Sequence, residues 1–139
     1  MVINMRVLSI DYGDSRVGLA VSDIMGWTAQ GIKTVPNHGI KKLIPELDSV
    51  IKEYMPEKIV IGLPKNMNGS SGFRVEETYK FADELKKIYS GEIVFWDERL
   101  STVSASQILN TTNTRGKKRK QVVDTLSAEI ILQSYLDSK

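Results

Sequence analysis

Four acidic residues stand where a carboxylate is either costly or useful: Asp11, Asp97, Glu98 and Asp124. Asp11 closes the apolar run "RVLSID" (6–11), and a charge at the end of a buried strand is expensive unless something pairs with it. Asp97 and Glu98 open "DERLS" (97–101), directly after the apolar run "EIVFW" (92–96). Asp124 follows a dense run of cations and begins the last apolar periodic stretch. Each has an ordinary reading too. Asp11 can serve as a turn residue bonding its own backbone. The others can serve as acids at helix entries, with Arg99 as a surface partner. Gathered together, however, carboxylates are the ligands that Mg²⁺ or Mn²⁺ takes. Two such ions about 3.5–4 Å apart activate a water on one side of a phosphodiester and stabilise the leaving oxygen on the other.

Other chemistries lack their residues. With no cysteine, disulfides, thiolate zinc sites and a cysteine nucleophile are excluded. The single histidine, His38, rules out a histidine-rich metal site and sits in a Pro-Asn-His-Gly turn, a poor place for the base of a serine triad. Chemistry is left to carboxylates, hydroxyls, basic groups or a bound ion.

The cations have their own pattern. The net charge is +2, yet "RGKKRK" (115–120) holds five of the 19 basic residues, and the remaining body carries 14 bases against 17 acids. Arg115, Lys117, Lys118, Arg119 and Lys120 therefore read as a basic loop on a mildly acidic domain. Such a run engages a polyanionic backbone through counterion release. It has no aromatic residue for base stacking. A solvated loop is its ordinary reading. The stretch "GLPKNMNGSSGFR" offers a second phosphate contact at a helix start, with Arg74 placed to touch nucleic acid, or else is a plain strand-to-helix link.

The elements that must position these residues follow from apolar periodicity. "RVLSID" (6–11) and "RVGLAVSD" (16–23), joined by "YGDS", predict an antiparallel hairpin. "TAQGIKTV" (28–35) is a weaker third strand. Ile40, Leu43, Ile44, Leu47, Val50, Ile51 and Tyr54 recur at helical spacing, with Pro45 in the first turns. "KIVIGLP" (58–64) and "EIVFW" (92–96) are apolar throughout, as buried parallel strands are. Between them, a helix carries Val75, Tyr79, Ala82, Leu85 and Ile88 on one face. "STVSASQILN" predicts a short helix capped by Ser101, and 122–137 the last helix. Right-handed crossovers set the late strands beside the first. The expected architecture is an α/β domain over residues 1–139, a five-stranded mixed sheet of three antiparallel then two parallel strands flanked by helices. That arrangement resembles the ribonuclease H-like fold. Asp11 then ends a central strand, at the carboxyl edge where open α/β sheets bind ligands. Asp97 and Glu98 reach the same edge, and alternation lets one of the two face Asp11. No apolar run approaches the ~18 residues of a membrane span, and "MVINMRVLS" lacks a secretory pattern, so a cytoplasmic location is expected.

In "SIDYGDSRVGLAVSD", "IVIGLPKNMNGSSG", "FADEL", "DERLSTVSA" and "VDTLSAEIILQSYLD", which run through nearly the whole chain in order, the sequence resembles the YqgF/RuvX family, relatives of the Holliday-junction resolvase RuvC. The resemblance implies a metal-dependent nuclease acting in 5′-end maturation of pre-16S ribosomal RNA. It implies Asp11, Glu98 and Asp124 as catalytic residues and ligands of Mg²⁺ or Mn²⁺, with Glu98 taken over Asp97. Implied partners are RNA, ribosomal precursor particles and, in the alternative, branched DNA, with no membrane. A DNA-junction resolvase with the same acids and a non-catalytic RNA-binding or ribosome-assembly factor are the competing readings. Where family members commonly carry Asp-Ser-Ala-Ser-Ala, this chain reads Asp-Thr-Leu-Ser-Ala, with the acid kept. The Asp-x-Gly of "DYGDS" also opens the phosphate loop of actin-like ATPases, but those enclose their nucleotide with two related domains and this chain has the length of one.

Overall fold

The computed structural model describes the backbone of residues 5–63, 73–97 and 116–138, and the side chains of all of these except 73–74 and 116–125. Strands form where aliphatic and β-branched residues dominate: β1 (Val7–Tyr12), β2 (Arg16–Ser22), β3 (Ala29–Pro36), β4 (Lys58–Leu63) and β5 (Glu92–Asp97). They make one sheet in the order β3-β2-β1-β4-β5. β1 pairs antiparallel with β2 and β2 with β3, while β1–β4 and β4–β5 are parallel. The expected mixed sheet is the observed one, with β1 at its centre.

Alternation sends the strand side chains into two cores. Leu8, Ile10, Val17, Leu19, Ile59 and Ile61 pack under α1 (Ile40–Tyr54) and α2 (Phe73–Leu85). Val7, Ala20 and Val60 pack on the opposite face with Ala128, Ile131, Leu132, Tyr135 and Leu136 of α3 (Gly116–Asp137). Each fully buried large aliphatic side chain contributes about 1.5–3 kcal/mol, so both helical layers are held firmly to the sheet. α1 starts after Gly39, whose φ of 107° lies where glycine is favoured. Pro45 is the sixth residue of α1 and forfeits the one hydrogen bond its missing N–H would give to Lys41.

Two boundaries differ from expectation. α2 ends at Leu85, and Ile88 lies in the turn that follows, where Ile88 and Tyr89 both donate their N–H to the Leu85 carbonyl. Ile88 still packs on the first core, so the apolar spacing marked its burial correctly but overran the helix. The larger correction concerns 115–120. The charge pattern predicts a loop there, but residues 116–120 form the first turns of α3, which starts at Gly116 instead of 122. Lysine, arginine and glutamine are good helix formers, and the only poor one, Gly116, sits at the very end. A helix anchored downstream can propagate back through such a run. The helix expected over 101–110, its cap Ser101 and most of the link around 64–72 lie outside the described residues.

Candidate active site

Asp11 is the fifth residue of β1 and half-buried. The face it takes is fixed from both sides. Two residues earlier, the buried Ser9 hydroxyl donates to the Ala128 carbonyl of α3 at 2.6 Å. One residue later, the Tyr12 ring stacks on Phe81 of α2, with centroids 4.4 Å apart. Asp11 alternates with Tyr12 and shares the face of Ser9, so it belongs to the α3 side of the sheet. Its ladder partner on β2 is Gly18, and one step beyond the Ile10–Ile61 pair Gly62 lies beside it on β4. With glycine on either side, Asp11 is the one side chain in its row across the three central strands. The next in that row, Trp96, pairs with Gly62 from β5.

Three contacts give the register of α3 over this face. Ala128 meets Ser9, Glu129 accepts from the Gly31 N–H, and Gln133 Oε1 accepts from the Ala29 N–H at 2.9 Å. Gly31 pairs with Ala20, which pairs with Ser9, so Glu129 stands at the level of Ser9. Ala29 pairs with Ser22, whose Oγ accepts from the Val7 N–H, so Gln133 stands at the level of Val7. α3 therefore runs antiparallel to β1. A four-residue helical step rises about 6 Å, and two strand residues about 6.6 Å. The next turn back from Ala128 carries Asp124 to the level of Asp11. This is a placement of its backbone.

At β5 the described chain settles the face of Asp97. Phe95 packs on the α1–α2 side, edge-on to Tyr79 of α2 at 4.9 Å, while Trp96 packs on the α3 side against Tyr135 at 5.7 Å. Asp97, pairing with Leu63, shares the face of Phe95 and so looks away from the Asp11 side. Glu98, Arg99 and Arg115 lie outside the described residues. Arg74 lies in the first turn of α2, and Lys117, Lys118, Arg119 and Lys120 in the first turns of α3, placed by backbone alone. Among the described residues no three acidic or histidine side chains converge to hold a metal ion. Glu98 and the side chain of Asp124 lie outside those residues. The predicted donor set is all carboxylate, which matches the oxygen preference of Mg²⁺ or Mn²⁺.

The loop after Asp11 is held by residues that sequence reasoning passed over. The Gly13 N–H donates to the Arg16 carbonyl at 3.0 Å, and a Cβ on Gly13 would stand 2.5 Å from that oxygen, so only glycine fits. Asn37 bridges this turn to the entry of α1. Its Nδ2 donates to the Gly13 carbonyl at 2.8 Å, its N–H to the Ser15 carbonyl at 2.8 Å, and its Oδ1 accepts from the Gly39 N–H at 3.1 Å. The only signal was asparagine in a turn, which is too common to single out. The Glu129 carboxyl is pushed above its usual range. Burial does this, and the Gly31 N–H opposes it.

The family described as "RuvX: Holliday junction resolvase" matches residues 5–138. A provisionally named pre-16S rRNA nuclease of Clostridioides difficile is 49% identical over 138 residues, covering 99% of this chain and 98% of the relative. One from Bacillus cytotoxicus is 46% identical over 137 residues, covering 97% of this chain and all of the relative. Among solved structures, Thermus thermophilus RuvC in complex with a Holliday junction substrate superposes with a TM-score of 0.61 at 12% identity, over 97% of this chain and 96% of that one. The fowlpox virus Holliday junction resolvase gives 0.56 at 13% identity, over 97% and 100%. At such identities the likeness shows a shared ribonuclease H-like, RuvC-like fold.

Proposed function

The chain belongs to the RuvX family, and on that footing we propose that it is a metal-dependent nuclease that hydrolyses phosphodiester bonds of pre-16S rRNA and matures its 5′ end. The observation that carries this is Asp11. It stands at the carboxyl end of the central strand, flanked by Gly18 and Gly62 on the neighbouring strands, facing the helix whose register has Asp124 at the same level.

Asp11, Glu98 and Asp124 are the residues that would hold the metal. The choice of Glu98 over Asp97 is supported by Asp97 sharing a face with Phe95. Mg²⁺ or Mn²⁺, when bound, supplies an activated water and charge stabilisation for the leaving oxygen. The basic residues do the binding: Arg74 in the first turn of α2 and Lys117, Lys118, Arg119 and Lys120 in the first turns of α3, together with Arg99 and Arg115, which lie outside the described residues. The first turn of α3 contains no acid, and cations there oppose the helix dipole. A polyphosphate backbone relieves that repulsion and meets the helix N–H groups at once. The same reading places the whole 1–139 chain in the cytoplasm, where ribosomal precursor particles carry this RNA.

A second reading, a resolvase of branched DNA using the same acids, is favoured by the fold shared with RuvC. Two symmetric cuts need two sites, so it requires a dimer. The two readings part in one assay, in which wild type meets a pre-16S 5′-leader RNA and a four-way DNA junction with Mg²⁺, Mn²⁺ or chelator. Cutting of the RNA alone supports the proposal, and cutting of the junction alone by a dimer supports the second. Salt-sensitive binding with no cutting of either would make the protein a ribosome-assembly factor on a nuclease fold.

A further inference from the structure

The sheet face that carries Asp11 also presents, at the same edge, a cation outside the set assigned above: Arg16. It is the first residue of β2 and half-buried, whereas its neighbours Asp14 and Ser15 at the hairpin tip are exposed. On β2, Val17, Leu19 and Val21 enter the α1–α2 core while Ala20 enters the α3 core. By the same alternation, Gly18 and Arg16 belong to the α3 side, as Asp11 does. Asp11 pairs with Gly18, which makes Arg16 its diagonal neighbour two residues along the partner strand. Such neighbours stand about 7–8 Å apart, somewhat less at Cβ, within reach of a long side chain such as arginine. Gly18 has no side chain to stand between them.

The backbone that presents Arg16 is pinned on both sides. Its carbonyl accepts from the Gly13 N–H at 3.0 Å, and the preceding Ser15 carbonyl accepts from the Asn37 N–H at 2.8 Å. Arg16 also pairs with Pro36 across the β2–β3 ladder. A guanidinium on so fixed a base is suited to bidentate recognition of a phosphate, which lysine makes only as a point charge.

We infer that Arg16 grips the backbone phosphate adjoining the scissile bond, positioning the strand on the Asp11 face. This rests on the nuclease reading of that face. The contact is made alike in the ground and transition states, so it lowers KM and leaves kcat nearly untouched.

The test is binding of a pre-16S 5′-leader RNA in chelator across a series of salt concentrations, for wild type, Arg16→Ala, Arg16→Lys and Lys52→Ala. Lys52, on the exposed outer side of α1, supplies the control for loss of a distant charge. With Arg16→Ala, affinity should fall roughly tenfold, and the slope of log K against log salt should shrink by about 0.7–0.9, the signature of one lost phosphate contact. Arg16→Lys should keep the slope and lose only part of the affinity. Steady-state cleavage with Mg²⁺ should show KM raised in Arg16→Ala and kcat within about threefold of wild type. An unchanged slope and affinity, in a variant that melts like wild type or lower, would overturn the assignment. The two ideas fail separately. Wild type that binds but never cuts refutes the nuclease reading, while the slope still reports whether Arg16 touches phosphate.

Discussion

At the residue scale, the proposed chemistry turns on Asp11, and the half-buried Glu129 shows what burial does to another acid of this fold. Replacing Asp11 by asparagine keeps the shape and removes the charge, so cleavage should fall by roughly a thousandfold or more while RNA binding persists. Acids gathered for a metal repel one another without it, so the metal-free melting temperature of Asp11→Asn should equal or exceed that of wild type. A large drop would mark Asp11 as a structural residue. Glu129 gives the contrast. Burial raises its pKa, so its proton is bound more readily in the folded state, and its share of stability is full below the unfolded carboxylate value and lost as pH rises through the folded one. Glu129→Gln retains an oxygen to accept from the Gly31 N–H and carries no charge. It should melt at or above wild type at pH 7, with the difference shrinking toward pH 4. A variant that is less stable at pH 7 would show that the ionised carboxylate is favourable there.

At the element scale, the site depends on how α3 and the β1–β2 turn are registered on the sheet. The Ser9 hydroxyl bonds the Ala128 carbonyl at 2.6 Å in a buried setting. Ser9→Ala should therefore cost about 1 kcal/mol in stability, and thermal unfolding reads this as a shift of about 3 °C. Because the same bond sets the level of Asp124, cleavage should drop more than the stability loss alone explains. Unchanged activity would mean that the two cores hold the register without it. The strands, their order and the edge where Asp11 emerges were legible in the sequence, because alternation and continuous apolar runs report burial directly. The start of α3 was not. Five cations in six residues look like a loop to any rule based on charge, yet the backbone of lysine and arginine is content in a helix. The Asp97–Glu98 ambiguity was open for a related reason. Two adjacent acids obey the same composition rules, and only Phe95 and Trp96 packing on opposite faces tells which way Asp97 is turned. Asn37 and Gly13 left no signal, since their role lies in hydrogen bonds between segments distant in sequence.

At the scale of the whole molecule, two cores clamp one sheet, and no helix among the described residues is long and apolar enough to cross a membrane. The larger core includes Tyr89, whose hydroxyl donates to the Pro56 carbonyl at 2.9 Å. Burial, with Glu57 and Glu92 nearby, raises its pKa from 10.0 to about 12. The folded chain thus keeps a proton that the unfolded chain sheds near pH 10, so stability is full below pH 10 and falls as pH climbs toward 12. Melting temperature followed across that interval should fall less steeply in Tyr89→Phe than in wild type. Equal slopes would place the alkaline sensitivity elsewhere. The central claim, that a carboxylate site at the carboxyl edge of this sheet cuts RNA with a divalent metal, is tested most directly by one comparison. A labelled pre-16S 5′-leader RNA is incubated with wild type and with Asp11→Asn, each with Mg²⁺ and with chelator. The account predicts a cut product from wild type with Mg²⁺ and from none of the other three mixtures. Cutting by Asp11→Asn at the wild-type rate, or by wild type in chelator, would contradict it.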